Sequence, residues 1–169
     1  MTLKMQMAMM GAFLTLSSTL FQAAYAADPG PSTLQPTASE RMSSARDAIK
    51  ANKWQSAIAE LRLAVRDEPK NADAHNLLGY SYRKQAKPDL PKSFEHYNIA
   101  LKIDPMHKGT HHYIGVAYLM DKKPAEADKH LALLEKACSN RTCPEYQDLA
   151  KTIATYKTTG SADTSFATY

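Results

Sequence analysis

The chain has 169 residues, with 21 Lys and Arg against 17 Asp and Glu, and a formal charge of +4. That length suits one modest domain. So slight a positive balance, with acids interleaved among the bases, excludes the electrostatic footprint of a nucleic-acid binder.

Lys4, an apolar run from Met5 to Phe21 and then Ala24-Tyr25-Ala26 follow the order of a secretory signal peptide, with cleavage predicted after Ala26. Gln6, Thr15, Ser17, Ser18 and Thr19 interrupt the run and argue against a membrane anchor, and no cysteine follows the cleavage site to take a lipid. The mature chain is therefore expected in the periplasm or outside the cell, without a membrane span. Residues 27–36, with three prolines and a glycine, read as a linker.

Thr37 followed by Glu40 makes a capping box that starts a first helix, which runs to about Ala51 and leaves Asn52 for the turn. A second helix spans Trp54 to Asp67 and stops before Pro69. Asn71 caps a third, about Ala72 to Ala86, and further helices are expected over Leu90 to Ile103, Lys108 to Met120 and Pro124 to Ala137. A seventh starts at Pro144, where proline and Glu145 suit a first turn, and Tyr146, Leu149, Ile153 and Tyr156 form one apolar stripe. Residues 158–169 are small and polar and read as a disordered tail. Leu78, Gly79 and Tyr82 recur 36 residues on as Ile114, Gly115 and Tyr118, and Ala64 and Pro69 recur as Ala100 and Pro105. A fixed period in this range means stacked helix pairs that share one extended core.

Ala72, Leu77-Leu78-Gly79, Tyr82, Tyr97, Ala100 and Pro105 together resemble the tetratricopeptide repeat. The resemblance implies an all-α right-handed superhelix of about three helix pairs, over 38–71, 72–107 and 108–138, with residues 139–157 forming a cysteine loop and a capping helix. Repeat one keeps Ala57, Leu61, Ala64 and Pro69 but has Ala45 and Ala48 where glycine and an aromatic are usual. Repeat two carries two extra residues in its internal turn, within 87–91, and repeat three keeps Ala127, Leu131 and Leu134 but lacks the closing proline. At the entry to the last helix, Cys138 and Cys143 are expected to form a disulfide in an oxidising compartment. Cys-x4-Cys is not the spacing of a redox motif, and there is no Cys-x-x-Cys-His for haem.

Function is expected on the concave groove lined by the first helix of each repeat, which the resemblance assigns to binding a protein or peptide segment. The inward positions are Met42, Arg46, Ile49 and Lys50, then Asn76, Tyr80, Arg83 and Lys84, then His112, Val116, Leu119 and Met120. Basic and polar at first, apolar at the end, such a groove suits a segment with an acidic or carboxylate end and an apolar anchor. The alternatives are a metal-handling protein using His107, His111 and His112, for which copper or nickel would be the metal, and a homo-oligomer joined through exposed Tyr and Met residues. His75 and His111 share one repeat position where the family buries an aromatic, which favours packing with one nitrogen satisfied. No cofactor is implied, and no Gly-x-Ser-x-Gly, phosphate-binding glycine loop or His-Glu-x-x-His indicates an enzyme.

Overall fold

The computed structural model describes residues 35–162. The expected signal peptide, most of the linker and the end of the tail lie outside the described residues. Within them there are seven helices and no strand: α1 (Ala38–Lys50), α2 (Trp54–Asp67), α3 (Ala72–Lys84), α4 (Leu90–Ile103), α5 (Lys108–Met120), α6 (Pro124–Cys138) and α7 (Pro144–Thr159).

The helix starts follow from local chemistry. Thr37 Oγ1 accepts from the Glu40 amide at 3.2 Å, while the Glu40 carboxylate accepts from the Thr37 amide at 2.8 Å. Both orphan donors at the head of α1 are thereby satisfied, and accepting those bonds holds the Glu40 carboxyl below its usual range. Asn71 caps α3 through the Ala74 amide at 2.9 Å, and Asp89 caps α4 through the Lys92 amide at 3.2 Å. Pro124 and Pro144 open α6 and α7, where a missing amide removes a donor that would have no partner.

The turns set the repeat lengths. Asn52 and Lys122 both take the left-handed conformation, at φ 55° and 58°, and the next residue in each turn bonds back to Ala48 O or Tyr118 O. Between α3 and α4 the equivalent bond runs from the Asp89 amide to Tyr82 O, across the longer loop. Four helix ends differ from the sequence reading, α1 first, which ends at Lys50 with Ala51 as its cap. Backbone extension at Gln85 ends α3 at Lys84, short of Ala86. Ser139 turns left-handed only after Cys138, so α6 gains one residue. Gly160, at φ 69°, closes α7, so Thr158 and Thr159 belong to the helix and not to the tail.

Consecutive helices pack in pairs, α1 on α2, α3 on α4 and α5 on α6; α2 then meets α3, α4 meets α5, and α7 lies on both α5 and α6. This is an α-solenoid of helix pairs. One core cluster runs from Met42, Ile49 and Leu61 through Leu78 and Tyr97 to Ile114, and a second joins Val116, Leu119, Ala127 and Leu134 to Leu149 and Ile153 of α7. Gly79 permits the close approach of α3 and α4: a Cβ there would meet the Tyr97 ring at 2.7 Å and Ser93 O at 3.0 Å. Charges inside the fold are also managed in pairs, since Arg41, 5% exposed, reaches Glu60 at 3.4 Å and Asp67 at 3.3 Å on α2. Cys138 and Cys143 are joined in a disulfide that links the end of α6 to the start of α7.

Candidate functional site

The first helices of the pairs, α1, α3 and α5, carry the residues expected to bind a partner, and α3 touches α5 directly. Tyr80 stands at that contact, its ring centroid 4.7 Å from Tyr113 and 6.0 Å from Trp54. Arg83 lies one turn further along α3, with its guanidinium carbon 5.3 Å from the Tyr80 ring centroid and 5.8 Å from that of Tyr113. These distances are within the range of cation–π attraction.

Arg83 is 1% exposed, and among the described residues no carboxylate lies within ion-pairing distance of it. Its Nη1 donates weakly to the Met120 thioether at 3.8 Å, whereas Nε and Nη2 have no hydrogen-bond partner. Asn76 Oδ1, His112 Nε2 and the Tyr97 hydroxyl are likewise buried without a partner. Burial drives the His112 imidazole down to about 4, with the Arg83 charge adding to the effect, so the ring is neutral at pH 7. The Tyr97 phenol is pushed up to about 12 by burial, against the lowering effect of Arg83. Lys84 is also lowered, first by burial and then by Arg83 beside it.

The other groove residues separate into three groups. Ile49 and Tyr80 pack in the first core cluster and Val116 and Leu119 in the second. Helix periodicity alone places them on the inward face, but the neighbouring helices cover that face. Met42 is buried in the same way. Arg46 is half-buried and lines a cleft of about 490 Å3 with Ser39, Met42, Ser43, Glu68, Asn71 and Asp73, a mixed rather than a basic surface. Lys50 is exposed and pairs only loosely, at 3.8 Å, with Asp47 on its own helix. Asn76, Arg83, His112 and the half-buried Lys84 and Met120 remain as the polar cluster.

His107, His111 and His112 do not converge. His107 caps α5, its Nδ1 accepting from the Thr110 amide at 3.1 Å, and its Nε2 reaches Asp73 Oδ1 at 3.0 Å to tie α5 to the head of α3. His111 places Nε2 3.0 Å from Pro105 O and Nδ1 3.0 Å from His130 Nδ1. The three rings are thus held in three separate environments, and among the described residues no three-ligand group contains a histidine. Every described tyrosine is buried or half-buried, and the exposed large apolar residues among the described ones are Met106 and Leu133.

Sequence reading missed His96 and His130. They follow His75 and His111 by 21 and 19 residues, so superposing the two repeats with the longer turn removed would have aligned them.

The stacked pairs, with the glycine and tyrosine that seat them, define a helical-repeat α-solenoid. Residues 43–107 match the family model described as tetratricopeptide repeat, which supports a protein of that family, and the helical stack fits it. Repeats of this family are protein–protein interaction modules and are typically non-enzymatic, which supports an adaptor or scaffold role. No curated protein matches the chain. No described helix is long and apolar enough to cross a membrane.

Proposed function

We propose that the protein is an exported, non-enzymatic adaptor that takes an acidic or carboxylate-bearing segment of another protein against the α3–α5 face. The observation that carries this reading is the buried Arg83 guanidinium, which lacks a carboxylate among the described residues and whose charge acts on the His112 ring, itself left with an unpartnered nitrogen. A buried unpaired charge is costly, and one carboxylate would satisfy it through charge-assisted hydrogen bonds. Met120, which Arg83 Nη1 already touches, offers an adaptable apolar contact, and Asn76 on the same helix an amide. The disulfide is consistent with an oxidising compartment, in keeping with export after cleavage at Ala26.

The test uses a library of labelled peptides in paired forms, with free carboxylate and with carboxamide ends, presented to the mature protein and to Arg83→Gln. Free-carboxylate or acidic peptides should bind, and Arg83→Gln should weaken them by at least about tenfold, the scale of one buried charged contact. Equal capture of both forms, or unchanged binding to Arg83→Gln, would overturn the reading. The mass of protein recovered from outside the cytoplasm should correspond to a chain that begins at Ala27.

A further inference from the structure

Two histidine pairs, repeated in successive helix pairs, have no place in the binding reading. His75 on α3 sets its Nδ1 3.2 Å from His96 Nδ1 on α4, and His111 on α5 sets its Nδ1 3.0 Å from His130 Nδ1 on α6. The inner ring of each pair turns its other nitrogen onto the carbonyl that ends the preceding repeat, His75 Nε2 to Pro69 O at 3.2 Å and His111 Nε2 to Pro105 O at 3.0 Å. Each outer ring stacks on a repeat tyrosine, His96 on Tyr82 at 5.7 Å and His130 on Tyr118 at 5.5 Å.

The carbonyls settle the proton positions. A carbonyl only accepts, so each inner Nε2 carries the hydrogen, and in the neutral ring its Nδ1 is then a bare acceptor. The outer Nδ1 must therefore be the donor, leaving the outer Nε2 bare. One added proton goes to that outer Nε2 and leaves the Nδ1–H···Nδ1 bond intact. A second has only the inner Nδ1 left, which sets two N–H donors and two positive rings against each other at 3.0 to 3.2 Å. The contact then has to open.

We propose that the His75–His96 and His111–His130 contacts are matched proton-released clasps, which hold α3 to α4 and α5 to α6 when neutral and let each helix pair loosen on acidification. The hydrogen-bond pattern sets the order of events, and the surrounding charges act within each pair. Beside the first pair, Glu95 favours a charged His96, while Lys92 and a charged His75 oppose it. Beside the second, Glu126 favours a charged His130, whereas Lys129 and His111 oppose it, and His111 itself faces Asp104 and His107. The tyrosine faces also favour a cation on the outer rings. Burial is the largest influence on all four rings and lowers each of them, His130 to about 4. A base lowered in the folded state binds fewer protons than in the unfolded chain. The stability it carries is complete above the ordinary 6.5 and is lost as pH falls toward about 4. Asn76 and His112 directly follow the inner rings, so release would also disturb the α3–α5 face; that consequence rests on the proposed partner reading, and the clasps do not.

The experiment follows the ring nitrogens of histidine-labelled protein by NMR from about pH 8 to about pH 4.5, with amide protection measured alongside. The expected result is an Nε2–H tautomer on His75 and His111 and an Nδ1–H tautomer on His96 and His130. The outer rings should charge first, and the inner rings should charge together with loss of protection across α3–α4 and α5–α6. Four rings that titrate independently near the ordinary value, with protection unchanged, would overturn the proposal. As a second reading, His96→Asn with His130→Asn puts a non-titrating amide donor in the place of each outer Nδ1. The fall in Tm between about pH 7 and about pH 5 should be smaller than that of the natural chain, with His75, His111 and His112 carrying what remains. An equal fall would also overturn it.

Discussion

A methyl group at Gly79 would press on the Tyr97 ring at 2.7 Å and on a backbone oxygen, Ser93 O, at 3.0 Å. The ring is fully buried, and a backbone oxygen cannot turn aside. At Gly115, the equivalent residue of the next repeat, the methyl would meet only the Leu149 side-chain tip, at 2.7 to 2.8 Å. Leucine methyls can rotate, and alanine favours a helix over glycine by about 1 kcal/mol. Gly79→Ala should therefore cost about 1–3 kcal/mol by overpacking, while Gly115→Ala stays within about 1 kcal/mol of the natural chain. Urea unfolding of the two variants measures the difference, and equal losses would contradict the packing argument. Glycine and tyrosine were legible in the sequence because their part in the fold is set by spacing along one repeat. Arg41 and His96 were not, and Arg83 was legible as an inward residue but not as a buried one, because a buried arginine or histidine acquires its meaning from partners, or from missing partners, on other helices.

At the scale of helices, boundaries were readable wherever a chemical signal marks them: Thr37, Asn71, Pro124 and Pro144 each satisfy or remove an orphan donor. His107 escaped because a capping imidazole looks like a ligand when only its neighbours His111 and His112 are in view. The junction of α6 and α7 depends on a different device. The Cys138–Cys143 disulfide closes a loop with a sequence separation of only 5, so loop-closure entropy assigns it about 2 kcal/mol. Replacing both cysteines with serine should lower stability by about that amount. Hydrogen exchange should rise first in α7 and the end of α6, because packing on α5 and α6 is then what holds α7. Unchanged protection of α7 in the double variant would show that the packing alone suffices.

The described residues form a short linear array, since each helix packs mainly on its neighbours in sequence and α7 packs on α5 and α6. Period and composition disclosed that arrangement, but not which inward residues stay accessible, because cover depends on how every helix is placed. The core reflects the linear order: one cluster spans α1 to α5 and the other α5 to α7, with Tyr118 packed against both. Leu61 and Leu149 are both fully buried, one in each cluster, so truncation to alanine should cost about 2–5 kcal/mol at either site. In an array the loss is felt first by nearest neighbours. Leu149→Ala should accelerate amide exchange in α7, α5 and α6 and leave the exchange of α1 and α2 close to that of the natural chain. Leu61→Ala should do the reverse, exposing α1, α2 and α3 before α7. Native-state hydrogen exchange at low denaturant separates this from a single cooperative unit, in which either substitution would lower protection by the same amount along the whole chain. Because α5 contributes to both clusters, its amides should respond to both substitutions.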